Sequence, residues 1–161
     1  MVADALRERA LAVLETVTDP EIPVLTIADL GILRDVAVEG DTVHVTITPT
    51  YSGCPAMNMI TLEIETSLAR AGIAAQVHTS LSPAWTTDWL TDAARQKLAA
   101  FGIAPPPHAA SRRALFGEAS PCCPLCGSAD SELISEFGST ACKSLHRCRA
   151  CREPFDAFKC H

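Results

Sequence analysis

Thr48-Pro49-Thr50-Tyr51-Ser52-Gly53-Cys54-Pro55-Ala56-Met57 joins a β-branched run to a helical pattern. Upstream, Val43, Val45 and Ile47 alternate with Thr42, His44 and Thr46, as in a strand with one buried face. Downstream, Met57, Ile60, Ile64, Leu68 and Ala71 recur at helical spacing until Gly72 closes the pattern. Residues 73–81 then form another β-rich run. A strand, a helix and a strand in that order imply a right-handed crossover between parallel strands. In the connecting loop, Gly53 is expected to turn the chain, Pro55 to take the first helical position, and Cys54 to be the N-cap. An N-cap sulfur meets unpaired N–H groups and the positive end of the helix dipole, which lowers a thiol pKa. The competing reading makes Cys54 a small buried hydrophobe.

Working outward, Leu6, Ala10, Val13, Leu14 and Val17 predict an amphipathic helix over residues 2–17, ended by Thr18-Asp19-Pro20. Asp19-Pro20-Glu21-Ile22-Pro23 reads as a rigid turn, and residues 26–31 as a short turn closing on Gly31. Two β-rich runs, 32–39 and 42–48, flank Gly40-Asp41 and predict a hairpin. His44 falls on its polar side and reads as a solvated strand residue; the methionines read as core filling. A last helix is expected over 88–101, packed onto the sheet by Trp85 and Trp89 and closed by Gly102. The fold class is therefore α/β: a small helix-strand-strand-helix-strand-helix sandwich with a short mixed sheet. Domain boundaries are expected at 1–103, a proline-rich linker at 104–120, and a metal module at 121–161. Within the linker, Arg112, Arg113, Leu115 and Phe116 are expected to lie along the surface.

The net charge of -6 is carried by residues 1–120, which hold 8 basic and 14 acidic side chains, whereas the tail is balanced at 5 and 5. An acidic main domain without a basic, aromatic surface argues against nucleic acid. No stretch suits a bilayer span and nothing at the start resembles a signal peptide, so a cytoplasmic protein is expected.

Seven of the eight cysteines follow residue 121. Cys123-Pro124-Leu125-Cys126 and Cys148-Arg149-Ala150-Cys151 are CxxC pairs 21 residues apart, the spacing of a zinc ribbon. Two thiolates two residues apart reach one ion from one tight turn, and two such turns complete a tetrahedron. Four cysteines leave no open position for water, so the zinc is expected to be structural. Cys122 competes with Cys123 for the first ligand position, which the CxxC spacing gives to Cys123; Cys142 and Cys160 are left as paired spare thiols, a transient metal or cluster site, or buried side chains.

Asp19-Pro20-Glu21-Ile22-Pro23, Asp29-Leu30-Gly31, and Thr48-Pro49-Thr50 with Gly53-Cys54-Pro55 resemble the small iron–sulfur assembly factors that include SufT and the cytosolic MIP-type proteins. The tail motifs Cys123-Pro124-Leu125-Cys126-Gly127-Ser128, Gly138-Ser139-Thr140-Ala141-Cys142-Lys143 and Glu153-Pro154-Phe155-Asp156 resemble one branch, PaaD, encoded with the phenylacetyl-CoA epoxidase system. The resemblance implies a non-enzymatic accessory role in phenylacetate catabolism: assembling or maintaining an iron–sulfur cluster, with the flavin-containing reductase subunit as chief partner. It puts the important thiol at Cys54, supported by Asp19, Glu21, Asp29, Thr48 and Gly53. The loop before Cys54 is longer than in the general assembly factors. One sulfur cannot hold a cluster that needs four ligands, so a transient cluster shared with a client or within a homo-oligomer is expected. The alternative is a zinc-stabilised adaptor that docks oxygenase subunits with no cluster chemistry. A thiol enzyme is disfavoured because neither His44 nor His78 has an evident orienting partner in the sequence.

Overall fold

The structure, a computed structural model, describes residues 2–107 and 120–159. The chain divides into two compact units, Met1–Trp85 and Thr86–His161.

The first unit opens with α1 (Val2–Leu14), which buries Ala10 and Leu14. It ends three residues before the expected limit. Thr16 donates its hydroxyl to the Val13 carbonyl at 2.7 Å, a local bond that competes with helix continuation. The chain then folds back: Asp19 N–H bonds to Leu25 O, Ile27 N–H bonds to Val17 O, and Thr18 bridges Thr26. β1 (Leu33–Glu39) and β2 (Thr42–Ile47) form the expected antiparallel hairpin. Gly40, at φ +62°, takes the first turn position, which a II′-type hairpin gives to glycine. Helix α2 (Met57–Arg70) carries the chain across to β3 (Ala74–Thr79), which pairs parallel to β2, so the sheet runs β1-β2-β3.

Period-2 and period-3.6 patterns meet in one core: Val43, Val45 and Ile47 of β2 and Ile60, Ile64 and Leu68 of α2 are all essentially fully buried. Arg7 pins α1 by donating to Val36 O, and Arg9 satisfies Ala71 O at the end of α2. Trp85 is buried, its indole N–H donating to Leu30 O at 2.8 Å. It thereby holds the 26–31 turn.

In the second unit, Thr86 caps a short 3-10 turn, Thr87–Trp89, and α3 (Asp92–Ala100) starts later than the expected residue 88, capped by Thr91 accepting from Ala94 N–H. β4 (Ile103–Ala104) pairs parallel to β7 (Pro154–Phe158), which continues antiparallel through β6 (Lys143–Cys148) to β5 (Ser131–Ser135). Buried Arg95 donates to Thr87 O and Pro106 O, tying the start of α3's unit to the proline run. These contacts group residues 86–104 with the ribbon, so the position expected for a domain boundary, 103/104, falls inside β4. The surface segment around Arg112, Arg113, Leu115 and Phe116 lies outside the described residues, as do Cys160 and His161. Among the described residues no helix is long and apolar enough to cross a membrane.

Candidate functional site

Two clusters of sulfur chemistry emerge, one in each unit. The first surrounds Cys54. Thr48 is buried and extends the hairpin by donating its N–H to Ile32 O at 2.9 Å. The loop then turns through Tyr51, whose carbonyl accepts from Cys54 N–H at 3.1 Å.

The expected N-cap is not there. α2 starts at Met57, after a separate turn through Pro55 and Ala56, and its cap residue is Ala56 without a side-chain bond. Gly53 is not in the left-handed region, and a Cβ there would make only ordinary contact with the Tyr51 ring, so backbone freedom is not what it supplies.

The Cys54 thiol is half-buried, and its pKa is raised, not lowered. Desolvation is the main cause; the negative charges of Glu21 and Asp19 add to it. The Ala56 N–H and the Tyr51 side chain oppose the shift without reversing it. The expected partly ionised thiolate is therefore corrected to a neutral thiol near neutral pH.

The supporting carboxylates divide. Asp19 is buried and accepts from Glu21 N–H at 2.7 Å and Ile22 N–H at 2.9 Å through one oxygen. That fixes the 19–22 turn and brings Asp19 and Glu21 near enough to act on Cys54. Asp29 closes a reciprocal pair with Thr26: its carboxylate accepts from Thr26 N–H while Thr26 Oγ1 accepts from Asp29 N–H, both at 3.1 Å. Its visible work is thus on its own turn. Tyr51, missed by the sequence reading, is a further side chain that acts on the thiol; its place three residues before Cys54 was the available signal.

The second cluster is the tetrathiol set. The sulfurs of Cys123, Cys126, Cys148 and Cys151 all lie within 4.8 Å of one another. Cys123 and Cys151 are 3.8 Å apart, and Cys126 and Cys148 3.5 Å. A tetrahedral zinc with Zn–S of 2.3 Å requires about 3.8 Å between sulfurs, so the four residues fit such an ion closely.

Each knuckle is built the same way. Gly127 N–H bonds to Cys123 O and Cys123 N–H to Ser128 O, both at 2.8 Å; Cys148 N–H bonds to Glu153 O at 3.0 Å. The residue after each second cysteine is left-handed: Gly127 at φ +77° and Arg152 at φ 66°. The glycine was readable in the sequence; an arginine in the matching place was not.

Without an ion between them, the Cys148 and Cys151 thiols are pushed in opposite directions. Cys148 is lowered to about 7, chiefly by the Cys151 backbone N–H, with help from the Cys126 thiol. The Glu153 N–H lowers Cys151, but burial and the three neighbouring sulfurs outweigh it and push Cys151 up to about 12.

Nearby, Gly138 N–H closes on Lys143 O, Ser139 donates to the Asp156 carboxylate at 2.8 Å, and a methyl at Gly138 would collide with that carboxylate. The Gly138-Ser139 motif is thus a seat for Asp156. Cys142 is buried, with its sulfur 3.0 Å from Thr140 Oγ1.

Comparison with known proteins divides the chain in the same sense. Residues 7–78 match the family described as iron-sulfur cluster assembly protein, and residues 107–159 match the PaaD zinc beta ribbon domain. Over 88 residues the chain is 38% identical to the Fe-S protein maturation auxiliary factor YitW of Bacillus subtilis, covering 53% of this chain and 85% of that one. The crystal structure of a domain of unknown function, DUF59, from Bacillus anthracis superposes with a TM-score of 0.57 at 26% identity, covering 61% of this chain and 95% of that one. A putative subunit of the 1,2-phenylacetyl-CoA epoxidase of Escherichia coli K12 is 50% identical over 150 residues, 92% of this chain and 90% of that one. With that identity over nearly the full length of both proteins, and with both family models matched in order, the chain belongs to the PaaD family.

Proposed function

We propose that this chain is a non-catalytic accessory protein of phenylacetate catabolism. It assembles or maintains the iron–sulfur cluster of the phenylacetyl-CoA epoxidase reductase subunit, with Cys54 as the iron-handling thiol. The names of its relatives support the setting: one is an epoxidase subunit, the other an Fe-S maturation factor.

The observation that carries the assignment of the site is the environment of Cys54. Burial and two carboxylates hold its proton, so the empty site is neutral and resistant to oxidation, since the thiolate is the reactive form. The same carboxylates favour a cation over solvent, so iron can displace the proton that Asp19 and Glu21 otherwise keep in place. A single sulfur supplies one of the four ligands a cluster needs, and the others come from the client or a second copy. Shared ligation makes the cluster a cargo. Thr48, Gly53 and Asp29 shape the loop and turn around this thiol.

The tetrathiol set holds zinc as a structural ion: its sulfur spacing suits the metal and it offers no open position. The chain acts in the cytoplasm with the epoxidase subunits as partners.

An adaptor without cluster chemistry is the second reading. It is favoured by the exposed Leu133, Ile134 and Phe137 on and after the edge strand β5, apolar side chains suited to a docking partner. Co-expression separates the two. With Cys54→Ser, the purified reductase should lose most of its iron while still associating with the chain. Full iron content with that variant leaves only the adaptor.

A further inference from the structure

We propose that His44 and His78 form a second cation site, a two-imidazole chelate for a divalent first-row metal ion on the face of the β1-β2-β3 sheet turned away from α1 and α2. It does not rest on the role of Cys54.

Parallel pairing aligns Thr46 with His78, which sets His44 diagonally across from His78 on the same face. Val43, Val45 and Ile47 occupy the buried face; Asp35, Ala37 and Glu39 of β1 and Ala74 and Gln76 of β3 share the open one with the two histidines. His44 Nδ1 and His78 Nε2 are 3.0 Å apart, in rings inclined by only 9° with centroids 5.3 Å apart. The centroid separation exceeds the nitrogen separation by about one ring width, so the rings meet edge to edge and share a proton along that line.

Glu39 lies beyond the far side of the first ring, its Oε2 3.7 Å from His44 Nε2. That carboxylate lies beyond hydrogen-bond reach but its charge favours the proton on Nε2, which leaves a lone pair on Nδ1. His78 then donates Nε2–H to that lone pair.

A cation takes the place of this bridging proton. His78 moves its proton from Nε2 to solvent-facing Nδ1, both rings stay neutral, and no proton is released overall. At metal–nitrogen distances of 2.0–2.1 Å, nitrogens 3.0 Å apart subtend about 90–100° at the ion. With the nitrogens kept near that separation as the rings turn, the angle fits two adjacent corners of an octahedral or tetragonal complex better than a tetrahedron, which suits copper(II) and nickel(II) better than zinc. Each ring must swing off the shared line to aim its lone pair at the ion. His78 is exposed and His44 borders solvent, with a side chain 23% accessible, so little packing opposes the swing. Water fills the remaining positions, and the ion exchanges readily.

The test uses the full chain with its tetrathiol set zinc-loaded, titrated with nickel(II), which does not oxidise thiols, and followed by calorimetry and histidine side-chain NMR. One nickel per chain is expected, perturbing His44 and His78 resonances. His44→Ala and His78→Ala should each weaken binding by more than about tenfold, and Glu39→Gln by less than either. Cys54→Ser should bind as the parent does. The proposal is overturned if nickel fails to bind, if both histidine variants titrate like the parent while melting unchanged, or if Cys54→Ser abolishes binding.

Discussion

Stripping the ion from the tetrathiol set should unfold the β4-β7 sheet and leave the β1-β3 sheet standing. The core beside the ion is small: Ala104, Cys123, Cys148, Phe155 and Ala157, with Cys151 packed against it, so half of its members are the ligands themselves. Buried Phe155 and Phe158 each contribute roughly 2–3 kcal/mol by burial, and the two alanines well under that. Zinc bound by four thiolates contributes roughly 10–16 kcal/mol in ribbon-sized peptides, more than those four side chains together. The first unit depends on no such ion, since its core runs through Leu14, Val43, Ile47, Ile64 and Leu68. Hydrogen exchange by mass spectrometry on chelated protein should show protection lost across β5, β6 and β7 and retained across β1, β2 and β3. Protection of β5–β7 that survives complete chelation would refute the reasoning, because apolar packing would then suffice.

Further outcomes follow from single residues. The Cys54 thiol should be alkylated more slowly than an ordinary cysteine at neutral pH, its rate rising through a midpoint above the usual thiol range of about 8.5, and Glu21→Gln should move that midpoint down. A midpoint below the ordinary value would contradict the desolvated, carboxylate-flanked site. Gly138→Ala should destabilise the second unit by about 1–3 kcal/mol in chemical denaturation, since its methyl must displace the Asp156 carboxylate and disturb the Ser139 bond. Arg152→Gly should stabilise the same unit by roughly 0.5–1 kcal/mol, because relief of left-handed strain exceeds the entropy that glycine adds to the unfolded chain.

What the sequence makes legible here is whatever depends on spacing along one element. Ile60, Ile64 and Leu68 mark the buried stripe of α2, Val43, Val45 and Ile47 the inner face of β2, and the two CxxC pairs the tetrathiol set. What escapes is whatever depends on residues far apart in the chain. The sign of the Cys54 shift depends on Asp19 and Glu21, more than thirty positions upstream, whose charges join desolvation against the local N–H of Ala56. The start of α2 moved to Met57 because the loop uses a turn through Pro55 and Ala56 before the helix begins. β4 is two residues long and exists only through its pairing with β7, some fifty residues later, which no local pattern announces. The alternation in β2 put His44 on the polar face, but only the β2-β3 register reveals His78 beside it.

The central claim, that Cys54 passes iron–sulfur cargo to the epoxidase reductase, is tested most directly by anaerobic transfer. Zinc-loaded full-length chain, reconstituted with iron and sulfide, is mixed with cluster-free reductase, and the visible spectrum and electron-transfer activity of the reductase are followed. The parent protein should restore both, and the Cys54→Ser protein, equally folded, should restore neither. Equal restoration by the two proteins would contradict the account.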